Sequence, residues 1–174
     1  MDTRIKLPGF SLVEIIVAMA IVAVMATQIP RLTRINYKHQ DKLLADLNML
    51  ARNAYTHALI TGRQTQLFFD FGSAVKSVSI RAETDKKNAE NKPIFEPVNS
   101  EYGNDSFIWD TTFEIQKFVI DGKDEALGAS LTTIWFYIMP DGLAQQVTIV
   151  LHDTQASRPL QLELNPFFVQ FTVV

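Results

Sequence analysis

The sequence predicts an α+β fold in which one long N-terminal helix is followed only by strands. Two observations carry this. Up to about residue 61 the apolar residues form first a continuous run and then a stripe at spacings of three and four. Beyond Gly62 the spacing changes to every second residue. The links between the alternating segments are short, so the strands are expected to be antiparallel, in one sheet or two, with the helix packed on them.

The helix has two halves. Residues 10–26 are apolar except for Ser11 and Glu14. A run of that length sits at the short end of what spans a bilayer as a helix. A carboxylate within such a run costs a few kcal/mol on insertion scales, about 2.5–3.5 for an acidic residue at the centre, which makes Glu14 a functional candidate. Pro30 then removes one backbone donor and is expected to bend the axis. Beyond it, Leu43, Leu47, Leu50, Ala54 and Ala58 form an apolar stripe widened by Leu44, Ala51, Tyr55 and Leu59, while Asp41, Lys42, Asp46 and Arg52 fall off it. This half is amphipathic and lays one face on a globular body. Gly62 is the stop signal. A single helix over residues 10–61 is about 78 Å long at 1.5 Å per residue, too long for a compact domain of this size. Its first half therefore belongs in a membrane or among other helices.

The strands come next. Leu67, Phe69 and Phe71 alternate with Gln66, Phe68 and Asp70, and Gly72 and Ser73 turn the chain toward Val78 and Ile80. Residues 83–105 are polar and read as one long loop, of the kind that binds or moves. Residues 107–120 read as a strand, 121–130 as a turn region and 131–139 as a strand containing Trp135, Phe136 and Tyr137. Pro140, Asp141 and Gly142 signal a hairpin returning through residues 147–151. Leu160, Leu162 and Leu164 form the next strand. After Asn165 and Pro166 comes the last, with Phe167, Val169, Phe171 and Val173 on one face. That makes about seven strands. Trp109, Trp135, Phe136, Phe167 and Phe168 are expected in the core.

Composition narrows the function classes. The chain has 174 residues, a net charge of −3 and no cysteine. It has no disulfide framework or thiol chemistry, and no basic balance of the nucleic-acid-binding kind. There is no Gly-x-Ser-x-Gly elbow, phosphate loop or dinucleotide fingerprint. His39, His57 and His152 lack ligand spacing, and no metal site or cofactor is expected. Glu83, Asp85, Glu90 and Asp105 offer oxygen ligands but lack the order of a calcium loop. Arg31, Arg34, Lys38 and Lys42 suit lipid headgroups or acidic neighbours equally well. Against Arg4 and Lys6 on the other flank, they leave the positive-inside count ambiguous or reversed.

Gly9, Phe10, Ser11, Leu12, Val13 and Glu14, in that register, resemble the type IV prepilin signature. The resemblance implies a leader of residues 1–9, cleavage between Gly9 and Phe10 by a prepilin peptidase, N-methylation of Phe10, and an assembly role for Glu14. It implies a pilin-like fold: residues 10–29 as the membrane-inserted half of the helix, 30–62 as the amphipathic half, and 63–174 as a β-rich extracytoplasmic domain. It also implies the leader inside and the domain outside, in conflict with the flanking charge count. Residues 51–70 (ARNAYTHALITGRQTQLFFD) and 134–151 (IWFYIMPDGLAQQVTIVL) further resemble the H-type minor pseudopilins of type II secretion. That family implies a structural, non-enzymatic part of the pseudopilus tip, anchored in the inner membrane with its domain in the periplasm. Its partners are other minor and major pseudopilins and inner-membrane lipid. The lack of cysteine departs from the disulfide loop usual in major pilins. Among related systems, a minor pilin of a type IV pilus or of DNA uptake is the alternative. However, the last twenty residues hold only one basic residue, Arg158, and no nucleic acid is expected as a partner. A signal-anchored enzyme is the other alternative, and the missing catalytic constellation argues against it.

Overall fold

The computed structural model describes residues 12–99, 104–126 and 132–174, with the backbone alone over 25–38. The chain divides into two units, Met1–His39 and Gln40–Val174.

The helix α1 (Leu12–Thr61) is assigned without interruption through Pro30. Within the second unit most of its stripe is buried as the spacing predicts, with Leu47, Leu50, Ala51, Ala54 and Ala58 fully covered, whereas Leu59 at its edge is exposed. The Gly62 N–H donates to the Ala58 carbonyl at 2.9 Å, closing the last turn. The Thr65 hydroxyl, in the first strand, donates to the Ala54 carbonyl at 3.1 Å and fastens that strand to the helix it has just left.

Ten strands follow among the described residues, and every pairing is antiparallel. They are β1 (Thr65–Asp70), β2 (Ser77–Lys87), β3 (Pro93–Pro97), β4 (Ser106–Ile108), β5 (Phe113–Ile120), β6 (Lys123–Asp124), β7 (Thr133–Ile138), β8 (Val147–Asp153), β9 (Arg158–Asn165) and β10 (Gln170–Val173). The first sheet has the order β3-β2-β1-β7, with β4 also on β2; the second runs β10-β9-β8-β5-β6. The helix stripe and the inner faces of both sheets form a single apolar cluster. Phe69 holds its centre, with ring centroids 5.1 Å from Phe118, 6.2 Å from Trp109 and 6.3 Å from Phe136. The α+β class and the antiparallel two-sheet arrangement are thus present.

Four expectations are corrected. Residues 83–105 are not one loop. β2 continues to Lys87 and turns back through Asn88, whose side-chain oxygen accepts from the Glu90 and Lys92 N–H groups, into β3. Lys86 and Glu96 pair across this hairpin at 2.8 Å. Its end is exposed, so no apolar alternation marks it.

Residues 107–120 are not one strand. β4 and β5 lie in different sheets. Between them Asp110 accepts from the Thr112 N–H, and its carbonyl accepts from the Phe113 N–H.

Third, the turn at Pro140–Gly142 forms, with the Gly142 N–H donating to the Met139 carbonyl, but it does not join hairpin partners. β7 pairs with β1, β8 pairs with β5 and β9, and only the bridge of Ile138 to Ala144 remains.

Fourth, residues 167–174 do not form one alternating strand. Val169 adopts φ 49°, which buries its side chain and turns Phe167 and Phe168 outward. Trp109 and Phe136 lie in the core, whereas Trp135, Phe167 and Phe168 are exposed.

Candidate functional site

Glu14 lies near the start of the described part of α1. The residues around it behave as no globular surface does. Every large apolar residue from Leu12 to Val24 is at least half exposed, from 51% at Ile15 to 75% at Leu12. A helix apolar on all sides suits a lipid or a bundle of like helices. Among the described residues, no helix is long and apolar enough to cross a membrane. Gly9 and Phe10 lie outside the described residues, as do the side chains of Arg31, Arg34 and Lys38.

Residues 8–27 match the prokaryotic N-terminal methylation motif. The chain thus carries a type IV pilin-like prepilin signal, and the motif takes in Gly9, Phe10 and Glu14 together. It implies processing by a prepilin peptidase and assembly with other pilins. Comparison with curated proteins and with solved structures returns no match.

In the second unit, no group of three or more His, Asp or Glu side chains gathers among the described residues. Of the loop acids considered as calcium ligands, Asp85 takes a two-oxygen contact from Arg63 at 2.9 Å, and Glu90 pairs with Lys92 at 2.8 Å. His57 is on the helix, with Nδ1 buried and without a hydrogen-bond partner. Burial holds its imidazole below the ordinary histidine range; nearby Asp105 acts against this and Arg63 with it. That environment favours the neutral imidazole.

The sequence gives no sign of one buried polar cluster. Gln40 Nε2 donates to Asp153 at 3.0 Å, and Arg158 Nη2 donates to Gln40 Oε1 at 2.7 Å. The other Asp153 oxygen accepts from the Gln155 and Ala156 N–H groups, both at 2.9 Å. Burial opposes the charge on Asp153. The Ala156 N–H, Gln40, the Gln155 N–H and the Arg158 charge outweigh it and hold the carboxyl below its usual range. The cluster joins α1 to the turn between β8 and β9, and its chemistry is structural.

Proposed function

We propose that this chain is a minor pseudopilin of the H type, a structural subunit at the tip of a type II secretion pseudopilus rather than an enzyme. The observation that carries the reading is the methylation motif at residues 8–27. The all-round apolar exposure of the helix from Leu12 to Val24, within that motif, and the succession of one helix and then antiparallel strands, support it.

In this reading residues 1–9 form the leader, cleavage falls between Gly9 and Phe10, and the new amino terminus of Phe10 is methylated. Residues 10–29 hold the subunit in the inner membrane, residues 30–62 continue the helix, and residues 63–174 form the periplasmic domain. Assembly draws the apolar helix out of lipid into a bundle of like helices. There Glu14 meets the amino terminus of a neighbouring subunit. An unpaired charge in a low-dielectric setting is costly and a paired one is tolerated, so Glu14 favours the assembled, in-register state.

Intact mass spectrometry of membrane-extracted protein tests the processing step. The expected chain begins at methylated Phe10, and a chain that keeps residues 1–9 in the presence of the peptidase overturns it. Deleting the gene separates secretion from piliation. Loss of protein export with surface pili intact is the expected outcome; loss of pili with export intact assigns the subunit to a pilus instead.

A further inference from the structure

We propose that the open edge of β7 is a docking site for an extended segment of another polypeptide, added as a further strand beside Thr133 and Trp135. The inference is independent of the N-terminal motif.

β7 ends the first sheet, with β1 on one side only. In an antiparallel pair, successive residues point their N–H and C=O alternately toward the partner and away from it. The phase is set at Tyr137. Its N–H donates to Gln145 Oε1 at 2.9 Å and its carbonyl accepts from the Gln145 N–H at 3.1 Å, on the side away from β1. The Met139 N–H likewise donates outward, to the Leu143 carbonyl at 2.7 Å. The Thr132 carbonyl has the opposite phase, accepting from the Phe71 N–H at the end of β1 at 2.8 Å. Thr133 and Trp135 share the phase of Tyr137, so their backbone groups face out. Among the described residues nothing bonds them there. Among the described residues, the chain covers this edge at Tyr137 and Met139 and leaves it open at Thr133 and Trp135.

A groove of about 300 Å³ runs along the opening, lined by Ile120, Ile134 and Trp135 with Glu125 and Gln145. The Trp135 ring is held in place: it stacks on Phe68 with centroids 6.0 Å apart, and the Arg81 guanidinium lies 3.4 Å over the Phe68 ring. Open edges are usually blunted by lysine, proline or a bulge. Thr133, Ile134 and Trp135 supply none of these.

The hydrogen-bond pattern specifies the occupant. Two N–H and C=O pairs in line, about 6.6–6.8 Å apart along a strand, match an extended backbone. A helix has already used its own such groups internally. Side chains of the added strand fall alternately over the Ile120–Ile134 groove and beside Trp135. The fitting segment is therefore extended, apolar at every second position and free of proline at the paired positions.

The experiment uses the full chain in detergent micelles and linear nine-residue peptides selected from a displayed library. Selected peptides should alternate apolar and other residues, and their binding should slow amide exchange at Thr133 and Trp135. N-methylation of the peptide amides that face β7 should weaken binding at least about tenfold, whereas N-methylation of the intervening amides should leave it unchanged. Thr133→Pro removes an outward N–H without touching the ladder to β1 and should weaken binding similarly, while Thr133→Val should not. The proposal is overturned if no peptide is selected. It also fails if N-methylation in the two phases has equal effect, or if the Thr133 and Trp135 amides are already protected in the free chain.

Discussion

Gln40 and Asp153, 113 positions apart in sequence, are joined by a buried 3.0 Å hydrogen bond, and Gln40 also accepts from Arg158. The amide is the right group for this place. It donates to the acid and accepts from the base, which a carboxylate or an ammonium cannot do at once.

Replacing Gln40 with leucine should therefore cost more than its volume suggests. The substitution fills the space but strips one partner each from a buried carboxylate and a guanidinium. The expected loss is about 1–3 kcal/mol of unfolding free energy. Urea unfolding followed by tryptophan fluorescence reads it, since Trp109 is buried and becomes exposed on unfolding. A change near zero indicates that water replaces the amide fully.

The pH dependence follows from the same acid. The Asp153 carboxyl is held below its usual range in the folded state. Its contribution to stability is thus fully present above the unfolded-state value and is lost as pH falls through the folded one. Stability of the wild type should decline on acidification below about pH 4, near the ordinary aspartate value. Asp153→Asn should flatten that part of the profile. Melting temperatures across an acid series test this, and parallel slopes for the two proteins reject it.

Two glycines separate backbone strain from crowding. Gly62 and Gly142 both have positive φ, 64° and 85°. A Cβ on Gly62 meets nothing within 4 Å, whereas on Gly142 it comes 2.8 Å from Tyr55 Cε2 and 3.4 Å from Leu59 Cδ2. Gly62→Ala should cost about 1–2 kcal/mol from left-handed strain alone. Gly142→Ala should cost more, because the turn must also lift from the helix. Equal losses in denaturant titrations count against that contact.

Glu14→Ala makes the apolar run more apolar, so insertion and cleavage at Gly9 should persist while recruitment falls. Glu14→Gln keeps the shape and some hydrogen bonding without the charge, and should fall between alanine and wild type. Crosslinking to neighbouring subunits, with cleavage scored on the same gel, is the measurement. If Glu14→Ala is processed and crosslinks as well as wild type, the charge pair is not what recruits this subunit.

Much of this arrangement was legible because local spacing reports burial directly. The stripe from Leu43 to Ala58 and the alternation of Leu67 with Phe69 each name a buried face. Pairing was less legible. The turn at Gly142 is encoded locally, but whether β7 folds onto β8 or crosses to β1 depends on Ile134 and Phe136 packing against distant Phe69. The outer half of β2 escaped notice because its exposed end carries no alternation. Val169 escaped because a β-branched residue with positive φ contradicts its own backbone preference. At the candidate site, Gly9, Phe10 and Glu14 were readable as a motif. The open edge at Thr133 and Trp135 was not, since the phase of outward N–H groups exists only once β7 has paired.

The strand order has a consequence for how the domain is made. β7 belongs to the first sheet, yet in the chain it lies between β5–β6 and β8–β10, which form the second. Neither sheet is encoded by a continuous stretch. A polypeptide emerging from its N-terminus presents β1 with one flank bare until Ile138 has appeared, and by then β5 is waiting for a neighbour that comes later still. The two sheets interlock in time as well as in space. The first sheet can close once β7 has been made, but β5 gains its β8 neighbour only afterwards.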